Sequence, residues 1–132
     1  MSGTKYDEGK LPWHLLPFDA IRAIVSVLAF GAAKYAARNW EAGMDWSRPY
    51  AALMRHLTAW WLGERKDPET GFSHLWHAGC CVLFLIAYEL RGAGNDDRPS
   101  ASGADLAPLE DEAELVAQIE FPGQLVHDYR VN

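Results

Sequence analysis

Cysteine is scarce in this chain: two of its 132 residues, Cys80 and Cys81, and they are adjacent. Neighbouring cysteines rarely bond to each other because the small ring is strained. No disulfide framework is therefore available, and a reduced, cytoplasmic setting is expected. The amino-terminal stretch MSGTKYDEGK has no apolar core, so no secretory signal is expected. The longest apolar run, Ala78 to Tyr88, falls well short of the roughly 18–20 residues of a membrane span. A surplus of cations is missing as well: 12 Lys and Arg stand against 18 Asp and Glu, a formal net charge of -6. Coating nucleic acid by counterion release needs the opposite balance, so no nucleic-acid partner is expected. No repeat and no long apolar–polar alternation is visible, which excludes a sheet architecture and leaves an all-α fold.

What the chain does have is unevenly placed. Residues 1–91 carry 10 basic against 9 acidic side chains, and residues 92–132 carry 2 against 9. The acidity belongs to the tail, and the first part can hold a local cationic pocket for an anionic ligand. Asp19 is placed to cap a helix from about Ala20 to Asn39, with Ile21, Ile24, Val25, Leu28 and Ala32 on one face. Ser47 and Pro49 start a second, about Pro49 to Glu64, and Asp67, Pro68 and Gly71 mark a turn. A third runs from near Ser73 to about Leu90, stopped by Arg91, Gly92 and Gly94. Residues 92–103 have linker composition, and a weaker amphipathic helix is expected within about Pro108 to Glu120. This gives two expected domains, residues 1–91 and an acidic tail, residues 92–132.

Only about eight residues join the second and third helices, so they should pack as an antiparallel hairpin. In that arrangement Glu64 is expected to face His74, Trp60 to face His77, and His56 to face Cys81. His56, Trp60 and Glu64 share a face at i, i+4, i+8, and His74 and His77 share another at i, i+3. Asp67 and Glu69 sit on the connection. Three carboxylates and up to three imidazoles then gather at one end of the hairpin, the composition of a divalent-metal site. The bland reading is a solvated acidic turn with histidines bonded to backbone. Lys34, Arg38 and Asn39 cluster at the end of the first helix, Arg55 precedes His56, and Lys5 and Lys10 flank an acidic pair. Trp13, Tyr35, Trp40 and Trp46 are aromatic platforms on which a base could stack, although six tryptophans in one chain more often serve core or subunit contacts. Cys80 and Cys81 read as packing residues.

Five ordered blocks carry a resemblance: KYDEGK at Lys5–Lys10, FGAAKYAARNW at Phe30–Trp40, RHLTAWWLGE at Arg55–Glu64, DPETGFSHLWHA at Asp67–Ala78, and CCVLFL after it. Together they resemble the phage dATP/dGTP diphosphohydrolase family, related to MazG-like all-α nucleoside triphosphate pyrophosphatases. The resemblance implies hydrolysis of a purine deoxynucleoside triphosphate, dGTP ahead of dATP, to the monophosphate and pyrophosphate with Mg²⁺ or Mn²⁺. It also implies a helical bundle completed by assembly into a homodimer or homotetramer, acting in the host cytoplasm if phage-encoded. On it, Glu64, Asp67 and His77 are the expected catalytic residues. The expected metal ligands are Glu64, Asp67, Glu69, His74 and His77, and the expected substrate contacts are Lys10, Lys34, Asn39, Trp40, Arg55 and His56. MazG-like enzymes usually carry ExxE and ExxD acids on paired helices; here His74 and His77 stand where acids would, which leaves open whether they bind metal or phosphate. The competing class is a non-enzymatic helical metal-binding protein whose acidic tail docks a basic partner.

Overall fold

A computed structural model describes residues 2–99 and 119, which divide into two units: residues 2–16 with 119, and residues 17–99. In the first, a 3₁₀ turn at Trp13–Leu15 follows a turn closed by the Lys10 amide on the Asp7 carbonyl. The second holds three α-helices: α1 (Phe18–Lys34), α2 (Ser47–Trp61) and α3 (His74–Arg91). No strand occurs among the described residues, and the fold is all-α as the sequence implies. No described helix is long and apolar enough to cross a membrane. The helix expected within Pro108–Glu120 lies outside the described residues, apart from Ile119.

α3 is the centre. Of the buried residues, His74, Ala78, Cys80 and Tyr88 all belong to it, while α1 contributes Val27. Contacts fix how the others lie against it. His56 of α2 meets His74 at one end, and Trp46, just before α2, donates its indole N–H to the Ala93 carbonyl at the other (2.9 Å). α2 and α3 are therefore an antiparallel hairpin. Ile24 lies against Gly79, Phe30 packs edge-on against Phe72 (6.5 Å between ring centroids) and Lys34 reaches Glu69, so α1 is antiparallel to α3 too. A Cβ on Gly79 would stand 2.8 Å from the Ile24 Cδ1, which is why glycine sits at that crossing. Burial raises Cys80 to about 12 and holds Cys81 above its ordinary value; both are packing thiols.

The bounds of α1 and α2 differ from expectation: Asp19 lies inside the first turn of α1 and does not cap it, Ser47 is the first residue of α2 and not its cap, and both helices end early. α1 stops at Lys34, not Asn39, although Ala36 and Ala37 favour helix. Arg38 adopts a left-handed conformation (φ 61°), turning the chain back so that Trp40 stacks on Phe84 (4.7 Å) and offers its carbonyl to the Tyr88 hydroxyl (2.7 Å). Burial of Tyr88 and that indole outweighs local propensity. α2 ends at Trp61, three residues before Glu64, because Gly63 takes φ 104°. Its start is capped from far away in sequence: Asp97 accepts from both the Ser47 amide (2.8 Å) and the Ser47 hydroxyl. Asn95 adds a backbone exchange with Met44 and Trp46. The stretch with linker composition is thus tied down through Asp97. At α3 the expectation holds, with Ser73 as N-cap, accepting from the Leu75 amide, and Gly92 as a left-handed C-cap.

Candidate metal centre

The loop between α2 and α3 builds its own frame. The Asp67 Oδ1 accepts from the amides of Glu69 (2.9 Å) and Thr70 (3.0 Å), an Asx turn that folds the DPET segment back. The Asp67 amide bonds the Phe72 carbonyl (2.7 Å) and the His74 amide the Arg65 carbonyl (2.9 Å), which seats the turn on the first residues of α3. Burial alone would raise the Asp67 carboxyl, but the amides of Thr70 and Glu69 and the nearby His77 hold it below the usual carboxylate range. It is ionised at neutral pH.

Three imidazoles converge beside it. His56 and His74 bring their Nδ1 atoms to 2.9 Å, and the rings of His56 and His77 stack at 4.6 Å with 9° between planes. His74 is 5% exposed, and its Nε2 lies 3.1 Å from the Glu64 Oε1. A carboxylate oxygen accepts, so this contact is the His74 Nε2–H donating to Glu64. Burial, followed by the neighbouring His77 and His74, lowers His56; burial lowers His77. Both are neutral at pH 7, the form that binds metal.

Ligand atoms of His56, Asp67 and His74 all lie within 4.8 Å of one another. Cis ligands on a six-coordinate ion with bonds near 2.1 Å stand about 3 Å apart, which matches the 2.9 Å between the two Nδ1 atoms. A carboxylate on the Nε2–H of His74 matches the usual support of a metal-ligating histidine. Two imidazoles and a carboxylate fit a divalent transition ion better than Mg²⁺, which prefers oxygen.

The structure sorts the residues expected from sequence. His56, Glu64, Asp67, His74 and His77 come together. Glu64 does so from the loop, since α2 has ended, and it meets the Nε2 edge of His74, away from the Nδ1 that faces His56. His56 lies against His74 and His77, where the hairpin numbering placed it opposite Cys81. Glu69 pairs with Lys34 (2.5 Å) at the exposed rim, which raises Lys34. Lys34 thereby parts from Arg38, Asn39 and Trp40, with which the sequence grouped it. Those three follow the reversed chain toward the other end of α3, where Glu41 pairs with both Arg38 and Arg91 (3.5 Å each) and the Arg91 guanidinium covers Trp40. Tyr88 is eleven residues past His77, about 16 Å along the helix. Arg55 is exposed on α2, close enough to Cys81 to act on its thiol. Lys10 belongs to the other unit.

Sequence reasoning missed Thr70. Its hydroxyl oxygen lies 2.7 Å from the His77 Nε2 and 3.3 Å from the Asp67 Oδ1, and it accepts from the Phe72 amide (3.1 Å). The signal was its place three residues after the Asx aspartate. The place of His56 among the convergent donors was equally hard to read, because the expected register aimed it elsewhere.

The family model for the dATP/dGTP diphosphohydrolase N-terminal region matches residues 1–98. A dATP/dGTP diphosphohydrolase of Salmonella phage PMBT28 is 33% identical over 98 residues, 74% of this chain and 33% of the relative. The chain thus spans about a third of the length of the relative it matches. No solved structure matches.

Proposed function

The chain belongs to the dATP/dGTP diphosphohydrolase family, and on that premise we propose that it is a divalent-metal-dependent hydrolase of purine deoxynucleoside triphosphates. It cleaves between the α and β phosphates and releases the monophosphate and pyrophosphate, with dGTP preferred to dATP. The observation that carries this reading is the convergence of His56, Asp67 and His74 at the mouth of the hairpin. They would hold the ion, Mn²⁺ more readily than Mg²⁺, with Glu64 acting through His74 by accepting its Nε2–H. The ion supplies charge neutralisation on the triphosphate and a lower pKa for the attacking water.

The remaining groups have work the geometry suits. His77, neutral and stacked on His56 without being among the three convergent donors, is the base assigned to the attacking water. Lys34 stands at the rim on Glu69, where it can turn to a phosphate, and Arg55 lies one residue from His56 on α2. Asn39 and Trp40 sit too far along α3 to serve this centre within one chain. Lys10 remains a proposed phosphate contact on the strength of the family block that contains it. Residues 1–98 form the catalytic part, slightly longer than the 1–91 that composition suggests, because Asn95 and Asp97 hold the start of α2.

The test is incubation with each of the eight common nucleoside triphosphates in Mg²⁺ and in Mn²⁺, with chromatography of the products. dGMP and pyrophosphate from dGTP, faster in Mn²⁺, support the reading. Release of inorganic triphosphate, or no metal-dependent product, overturns it.

A further inference from the structure

The Thr70 hydroxyl has one proton and two lone pairs, and it makes three contacts. The Phe72 amide donates to it and fills one lone pair. The ionised Asp67 carboxylate can only accept, so the contact to Oδ1 takes the hydroxyl proton. The remaining lone pair faces the His77 Nε2 at 2.7 Å, and His77 must then donate. In the reverse arrangement, with the hydroxyl proton on His77, two oxygens carrying lone pairs, one of them charged, would face each other at 3.3 Å. The assignment that gives every contact both a donor and an acceptor is His77 Nε2–H to Thr70 and Thr70 O–H to Asp67, with Oδ1 taking the hydroxyl as a third donor beside the amides of Glu69 and Thr70.

We infer that Thr70 is a positioning residue that locks neutral His77 as the Nε2–H tautomer and joins it to Asp67, which makes Nδ1 the basic atom of His77. The wiring follows from the contacts alone; its use in hydrolysis rests on the function proposed above. In that use a proton of the attacking water passes to the His77 Nδ1 as the new O–P bond forms. The bond to the bridging oxygen breaks with its electron pair leaving on pyrophosphate. The resulting imidazolium keeps its Nε2–H on Thr70, and the Asp67 charge stabilises it through the shared hydroxyl. Asp67 thus serves both the metal centre and the base. The His74 Nε2 likewise faces a carboxylate, that of Glu64, so the two α3 histidines are oriented by two different loop carboxylates, one directly and one through a hydroxyl.

The experiment needs neither metal nor substrate. In the ¹⁵N-histidine-labelled full chain at neutral pH, the long-range ¹H–¹⁵N spectrum should show His77 with a pyrrole-type Nε2 and a pyridine-type Nδ1. A pyrrole-type Nδ1 in the wild type overturns the inference outright. Thr70→Val removes the hydroxyl with little change of shape and should give a mixture of tautomers, while Thr70→Ser should restore the wild-type pattern. An unchanged pattern in Thr70→Val also overturns it. Turnover of dGTP should fall on the order of 10- to 100-fold in Thr70→Val with KM nearly constant, and recover in Thr70→Ser. If the spectra behave as stated and no variant hydrolyses any nucleotide, the wiring stands and the proposed reaction fails.

Discussion

At the scale of single residues, the division of labour between Asp67 and Glu64 is the sharpest consequence of the geometry. Asp67 is one of the three convergent donors, whereas Glu64 reaches His74 on the ring edge that faces away from His56. Asp67→Asn should therefore weaken Mn²⁺ binding at least tenfold in a calorimetric titration, since it removes the charge among the ligands. Glu64→Gln keeps an oxygen that accepts from the His74 Nε2, and its affinity should stay within about threefold of wild type. Equal, large losses in both variants would make Glu64 a ligand as well. The five residues were legible in the sequence because acids and histidines at i, i+3 beside a short turn are few. Their pairings were not, since which ring edge a carboxylate touches depends on where α2 stops.

The same residues set a pH dependence of folding. His56 faces His74 and His77 of α3, Asp67 of the loop and Arg55 of its own helix; burial, followed by repulsion from His77 and His74 when the imidazoles protonate together, lowers its pKa, and burial lowers His77 as well. As pH falls, the unfolded chain takes up these protons first. The contribution is therefore whole above the ordinary imidazole value of about 6.5 and is lost progressively below it. Asp67, depressed in the fold, acts in the same direction at lower pH, through and below the usual carboxylate range. Metal-free protein should melt at a lower temperature at pH 5.5 than at pH 7.5. A melting temperature that rises on acidification over that interval would contradict the neutral, buried state of the two histidines.

At the scale of elements, α3 was the most legible because it carries its own signals: Ser73 ahead, an unbroken apolar run, and Gly92 behind. The ends of α1 and α2 were not, since they are decided by partners distant in sequence. Arg38 turns left-handed so that Trp40 can stack on α3, and the cap of α2 comes from Asp97. No local pattern near Ser47 shows a carboxylate fifty residues on. Asp97→Ala removes the side chain that accepts at the start of α2 and should lower the denaturation midpoint at unchanged slope. Truncation after Gly94 removes Asn95 and Asp97 together and should destabilise the hairpin relative to truncation after Pro99. Equal stability of the two truncations would show that the docked stretch contributes nothing.

For the molecule as a whole, the described helices leave much apolar surface uncovered. Val82, Ile86 and Leu90 follow each other at i, i+4, i+8 along α3 and are 39, 44 and 46% exposed, and Trp61 and Leu62 are 78% exposed. Such a stripe is usual on a helix that meets a partner. The proposed homodimer or homotetramer should appear in light scattering at micromolar concentration, and Ile86→Glu should shift it toward monomer by placing a charge in the stripe. A monomer at all concentrations would contradict that assembly. The all-α class was legible from periodicity, and the family from five blocks; the proposed assembly rests on the family resemblance and on an excess of tryptophan and apolar surface.

Metal, site and reaction meet in one comparison: pyrophosphate release from dGTP at increasing Mn²⁺, measured side by side for the full-length wild type, Asp67→Asn and His56→Ala. The expected result is saturable, Mn²⁺-dependent release of pyrophosphate and dGMP by the wild type. Each variant should lose at least tenfold in rate at limiting Mn²⁺ while its helical circular dichroism is unchanged. Wild-type release that needs no divalent ion, or folded variants that match the wild type throughout the titration, would contradict a hydrolytic metal centre at the head of α3.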